Sequence, residues 1–186
     1  MTDFKTECEE FIQTGLSLKD LEDDVDKFAQ YFINCLSSEK KLIFCGNGGS
    51  AADSIHIAGE YVGRFRLERK SLPAISLTAD ISSLTAIGND YGYEYIFSRQ
   101  IEGLANKGDI LISLSTSGQS KNILNAVKKA NDMGIKTLSL AGKDGGLLNQ
   151  ISYNCIVVKS NSTARIQEAH KFILHYICSR VDEFFA

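Results

Sequence analysis

Proline is nearly absent from this chain: its 186 residues contain one, Pro73, beside 15 glycines. That excludes Pro-rich linkers and polyproline recognition segments. No apolar run approaches the roughly 20 residues that a membrane-spanning helix needs. The five cysteines, Cys8, Cys35, Cys45, Cys155 and Cys178, are odd in number, scattered, and form no Cys-x-x-Cys pair. Free thiols in a reducing cytoplasm are the expected state, several of them packed as small apolar groups. The stretch MTDFKTECEEF has four acidic residues and no basic-then-apolar pattern, so no secretory leader is expected. An excess of basic charge is missing too. Lys and Arg number 20 against 23 Asp and Glu, a formal charge of −3, which argues against a general nucleic-acid binder.

What is present is ordinary globular material, 44% hydrophobic and 23% charged. A chain of this length forms about one domain and buries about 70% of its unfolded surface, so it needs no disulfide or metal to stay folded. The sequence shows no repeat or low-complexity tract. Residues 1–37 read as a helical arm. Phe4, Phe11, Leu18, Val25 and Phe32 recur every seven residues, and Leu21, Phe28 and Cys35 supply the second seam position. Gly15 is expected to interrupt this helix, with Ser17 capping a restart and Asp20 at its third position. Such a stripe packs either within the chain or against another copy, and its length favours self-association.

From residue 38 to 186 the pattern changes. Short β-branched or aliphatic runs fall at Lys41–Cys45, Pro73–Thr78, Ile110–Ser115, Thr137–Ala141 and Cys155–Val158. Helical stretches are expected near Ser50–Val62, Glu94–Asn106, Ser120–Met133 and Ala164–Phe185. This alternation predicts a three-layer α/β sandwich around a five-stranded, mainly parallel sheet, with a flavodoxin-like order. Ligands of such sheets bind beyond the C-terminal strand ends, at polar Gly-rich loops.

Three such loops follow strands. Gly46-Asn47-Gly48-Gly49-Ser50 lets the backbone approach an anion before a helix begins, or is a tight turn capped by Ser50. It matches neither a dinucleotide fingerprint nor a nucleoside-triphosphate loop. Ser115-Thr116-Ser117-Gly118-Gln119-Ser120 gathers four hydroxyls where helix capping needs one, enough to wrap a phosphate monoester. Gly142-Lys143-Asp144-Gly145-Gly146 reads mainly as a turn. On the helix after the first loop, His56 and Glu60 lie four apart and share a face. Spacing alone favours an exposed hydrogen-bonded pair there. On the last helix Gln167 and His175, eight apart, point within about 80° of one another. Its apolar side is expected at Ile166, Ala169, Ile173, Ile177 and Phe184, with His170 structural.

The Ser-Thr-Ser-Gly-x-Ser turn resembles the phosphosugar loop of the sugar isomerase (SIS) domain family. Cys45–Ser50, Gly63-Arg64-Phe65-Arg66, Ile87-Gly88-Asn89-Asp90-Tyr91-Gly92, Gly142–Gly146 and Arg165-Ile166-Gln167-Glu168 extend the likeness to the phosphoheptose isomerases within that family. The resemblance implies conversion of sedoheptulose 7-phosphate to D-glycero-D-manno-heptose 7-phosphate through an enediol. Such heptoses serve lipopolysaccharide core, capsule or S-layer glycans. It implies zinc, one per subunit, held at His56, Glu60, Gln167 and His175. Glu60 would be the base and His175 the acid/base partner. Substrate would meet Asn47, Gly48, Gly49, Ser50, Glu60, Asn89, Asp90, Ser115, Thr116, Ser117, Ser120 and Gln167. Arg64 fits either substrate or a subunit ion pair. A cytoplasmic homotetramer without nucleic-acid or membrane partners is implied as well. A regulatory SIS relative that binds the bacterial replication initiator shares the Ser-Thr loop, Glu68-Arg69-x-Ser71-Leu72-Pro73-Ala74-Ile75 and Arg165–Glu168. It lacks the carboxylate and the histidine that this chain keeps at Glu60 and His175, which favours an enzyme.

Overall fold

Alternation along the strands decides the layering. In β1 (Leu42–Gly46), Leu42 and Phe44 face one side of the sheet while Ile43 and Cys45 face the other, and all four are buried. Both faces must therefore be covered. The computed structural model describes residues 3–186; the first two residues of the expected 1–37 arm lie outside them. Its other strands are β2 (Ala74–Ser76), β3 (Ile110–Ser115), β4 (Lys136–Gly142) and β5 (Asn154–Val158). They form one sheet in the order β2-β1-β3-β4-β5, every pair parallel. This is the flavodoxin-like order expected from the sequence, with the sheet wholly parallel. Pro73 stands at the entry of the edge strand β2, where a missing N–H does least harm.

One face carries α2 (Glu22–Ser37), α3 (Gly49–Val62) and α8 (Thr163–Phe185). The other carries α5 (Ser98–Leu104), α6 (Lys121–Asp132) and α7 (Gly146–Ile151), with α4 (Ile81–Asp90) at its margin. The helix α4 was not expected. Its signal is Asp80, whose carboxylate accepts from the Ser83 N–H at 3.1 Å and caps it. The expected Glu94–Asn106 helix is instead a 3-10 turn at Tyr93–Tyr95 followed by the shorter α5. No helix among the described residues is long and apolar enough to cross a membrane.

The N-terminal stripe divides in two. α1 (Phe4–Ser17) runs through Gly15 without a break. The interruption is a 3-10 turn at Leu18–Leu21, and the Ser17 hydroxyl donates back to the Thr14 carbonyl at 2.7 Å rather than capping a restart. One glycine costs a helix about 1 kcal/mol, too little to end it alone. Val25, Phe28, Phe32 and Cys35 are buried against the sheet, whereas Phe4 and Phe11 are 84% and 53% exposed. Phe28 thus belongs to the chain's own core. At the other terminus Phe184 is 60% exposed, because the core-facing side of α8 that takes Ile166, Ala169, Ile173 and Ile177 continues through Val181 and Phe185 instead.

Candidate functional site

Chain connections leave β1 toward β2 on one side and resume at β3 on the other. The crevice between the ends of β1 and β3 is the switch point of the sheet. The first and second loops meet there. Gly46 has no room for a side chain, since a Cβ would lie 2.5 Å from the Ser50 carbonyl oxygen. Ser50 is buried and its carbonyl accepts from the Ser54 hydroxyl at 2.8 Å, so it is no helix cap; α3 begins at Gly49, after Gly48 at φ +55°. Gly48 and Gly49 are exposed, and Asn47 is half-buried. Asn47 exchanges two amide hydrogen bonds with Asn122, at 2.8 and 2.9 Å, which ties the first loop to the start of α6.

The second loop is fixed by its own backbone. The Ser115 hydroxyl accepts from the Gly118 N–H at 3.1 Å, and the Ser117 hydroxyl accepts from the Gln119 N–H at 3.2 Å. Thr116, Ser117 and Ser120 remain half-buried. Ser120 occupies the N-cap position of α6, yet its side chain makes no capping bond. Its hydroxyl is therefore free for a ligand, in contrast with Asp80 at α4. The third loop packs under the second. Gly118, at φ +63°, abuts the Gly145 carbonyl, and its own carbonyl accepts from the Leu148 N–H at 3.0 Å. That loop is a structural support.

A second cluster lies along the seam of α3 and α8, in successive rungs. Gln167 stands over Gly49: a Cβ there would lie 2.6 Å from the Gln167 Nε2. Next, Lys171 pairs with the buried Asp53 at 2.9 Å. Then come His56, Glu60 and His175, whose ligating atoms all lie within 4.8 Å of one another. His56 Nε2 and Glu60 Oε1 are 3.0 Å apart. The His175 ring stacks on Phe65, and its Nε2 is buried with no hydrogen-bond partner. Burial first, then the neighbouring His56, push His175 below the ordinary histidine range. The imidazole is thus held neutral, with an unspent nitrogen in a cluster of one nitrogen and one carboxylate. That donor set and that orphaned atom fit a divalent transition metal.

The structure joins His56, Glu60 and His175, and it sets Gln167 at the loop end of the same seam, eight residues from His175. Asn89 and Asp90 are exposed at the end of α4 and bond to each other at 2.8 Å. Their neighbour Gly88, rather than they, lines the cavity of about 410 Å³ beside Asn47. Arg64 is exposed and pairs with Glu68 at 3.4 Å. His170 is structural as expected: its Nε2 meets the Ala141 carbonyl at 3.1 Å and burial pushes it down to about 4. Sequence reasoning missed Asn122, Tyr93, Asp53 and Lys171. Lys171 was findable, lying four residues from both Gln167 and His175. Asn122 and Tyr93 meet Asn47 only through the fold.

The SIS domain family matches residues 9–142 of this chain. The phosphoheptose isomerase of a Nitratiruptor species is 58% identical over 153 residues, 82% of each chain. The solved structure of phosphoheptose isomerase GmhA from Neisseria gonorrhoeae superposes with a TM-score of 0.91 at 37% identity, covering 96% of both chains. That of a phosphoheptose isomerase from Francisella tularensis gives 0.93 at 36% identity, again over 96% of both.

Proposed function

The chain belongs to the phosphoheptose isomerase family of SIS-domain proteins and is a sugar phosphate isomerase of the heptose pathway, and on that premise we propose how its residues do the work. The substrate is sedoheptulose 7-phosphate and the product D-glycero-D-manno-heptose 7-phosphate. The observation that carries the reading is the presence in one subunit of the hydroxyl-rich Ser115–Ser120 loop, with the Ser120 side chain not spent on capping α6, together with the His56–Glu60–His175 cluster. The regulatory alternative has no observation in its favour.

Thr116, Ser117, Ser120 and the start of α6 seat the phosphate, with Ser115 bracing the loop from within. Asn47, Gly48 and Gly49 border the sugar, Asn89 and Asp90 take hydroxyls, and Ser50 shapes the loop from beneath. Fixing the remote phosphate holds the reacting carbons in place. Glu60 takes a proton from C1 of the ketose and returns it to C2, which passes the sugar through an enediol. His175 gives a proton to the C2 oxygen and takes one from the C1 hydroxyl. His56, Glu60 and His175 would hold zinc, with Gln167 the fourth group if its amide swings along the seam. A bound zinc supplies polarisation of the sugar oxygens and stabilises charge that develops on them. The deciding experiment is isomerase turnover with sedoheptulose 7-phosphate before chelation, after it, and after zinc return. Activity indifferent to chelation would remove the metal from this account; no turnover in any arm would remove the isomerase.

We also propose that residues 1–37 serve assembly of a cytoplasmic homotetramer. Phe4, Phe11, Ile12 and Leu16 on α1 and Phe172 on α8 are all at least half exposed, and Arg165 pins α1 to α8 through the Glu7 carbonyl at 2.8 Å. Phe11→Glu, not a change at the core residue Phe28, is the variant that tests this by light scattering.

A further inference from the structure

We propose that Tyr93 is a positioning residue: its hydroxyl locks the Asn47 side-chain amide so that the first loop offers the substrate an N–H donor and no acceptor. The inference deepens the isomerase reading and rests on it. It follows from a chain of donors that begins in the backbone. The Ile123 N–H lies 3.0 Å from Oδ1 of the buried Asn122. A backbone N–H only donates, so that atom is the amide oxygen. The other arm of Asn122 is then its NH2 group, and it donates to Asn47 Oδ1 at 2.8 Å. Asn47 Nδ2 donates back to Asn122 Oδ1 at 2.9 Å. The orientation of one amide thus dictates that of the other. The Tyr93 hydroxyl donates to the same Asn47 Oδ1 at 3.0 Å.

An amide oxygen has two lone pairs. Those of Asn47 are taken by Asn122 and Tyr93, and one of its two N–H groups is taken by Asn122. The other N–H is left by this network for a ligand. Asn47 and Tyr93 both line the cavity of about 410 Å³, together with Thr78, Thr85 and Gly88. The ligand atom that meets Asn47 there must be an acceptor, an oxygen of the sugar or of the phosphate. The second loop already supplies hydroxyls for the phosphate, so the sugar oxygen is the assignment. Without the Tyr93 hydroxyl, Asn47 Oδ1 regains an open lone pair toward the cavity, and the loop no longer discriminates acceptor from donor. Tyr93 is 62% exposed, so removing its hydroxyl does not threaten the core.

The test uses the full-length, zinc-loaded protein. Wild type and Tyr93→Phe are titrated calorimetrically with sedoheptulose 7-phosphate and, separately, with inorganic phosphate, and kcat and KM are measured on both. Tyr93→Phe should bind the sugar phosphate about 3- to 10-fold more weakly, as expected for one neutral hydrogen bond, and raise KM to match. Its kcat and its affinity for inorganic phosphate should stay within about twofold of wild type. Unchanged sugar-phosphate affinity would overturn the proposal. An equal loss for inorganic phosphate would overturn the sugar assignment, and a fall in kcat at constant KM would place Tyr93 in the chemistry instead. Binding is read apart from turnover, so a wild type that binds but never isomerises would overturn the isomerase reading and leave the Tyr93 result standing.

Discussion

In the loops after β1 and β3, Gly46–Ser50 and Ser115–Ser120, the polar side chains are hydroxyls and the Asn47 and Gln119 amides, none with a formal charge. About 10 Å along α3, at seven residues of 1.5 Å each, the groups are imidazoles and a carboxylate. The loops are rigid because glycines let backbone touch backbone, as Gly118 does with the Gly145 carbonyl. The seam is held by side chains alone, in rungs at Gln167, Lys171 and His175. Under the proposed function this contrast is a division of labour. Neutral fixed dipoles bind a permanent anion without competing for protons. Titratable groups placed apart from them are free to move protons.

The largest losses are expected at the seam. Glu60→Gln and His175→Gln should each lower turnover by about 10²–10⁴-fold while leaving affinity for inorganic phosphate unchanged. Zinc content measured in each variant separates lost proton transfer from lost metal. Near-wild-type turnover in Glu60→Gln would end the proton-transfer assignment.

At the loops, Gly118→Ala should cost more than Gly134→Ala. Both glycines have positive φ, at +63° and +70°, but only Gly118 has backbone within reach of a new Cβ. The control isolates backbone strain of about 1–2 kcal/mol. A further loss in denaturant stability, with weaker phosphosugar binding, measures the packing of loop on loop.

His170 ties the seam helix α8 to the end of β4 through its contact with the Ala141 carbonyl. Burial lowers its folded value to about 4 from an ordinary 6.5. The unfolded chain therefore binds the extra proton as pH falls, so this stability is complete above about 6.5 and is lost on the way down to about 4. The gap is about 3 kcal/mol at most. His175, pushed down as well, acts in the same direction. Thermal melts across that window, in chelator, should show the fall, and His170→Gln should flatten it.

Effects smaller than those at the seam are expected from single hydroxyls of the second loop. Ser117→Ala and Ser120→Ala should each weaken phosphosugar binding by about 1.5–3 kcal/mol with little change in the melting temperature. Calorimetry showing no loss in either variant would remove the second loop as the anchor.

The amino-acid pattern alone prescribes the layers and the loops. Apolar runs buried on both faces require a parallel sheet covered twice, and Gly-rich turns after such runs fall at its C-terminal edge. It also determined that His56 and Glu60 share a face, because helical spacing is local. The rest depends on packing between distant segments. The heptad stripe looked continuous, yet α2 is core and α1 is exposed, since periodicity marks a face without saying what covers it. Asn89 and Asp90 stand at the exposed end of α4, next to the Gly88 that lines the cavity beside Asn47, a neighbourhood that only the fold creates. The pairing of Asn47 with Asn122 and Tyr93 joins positions 75 and 46 residues apart. His175 reaches His56 and Glu60 only because α8 packs along α3. Local patterns follow from a few neighbouring residues, whereas contacts between distant ones depend on how whole helices and strands bury their apolar faces together.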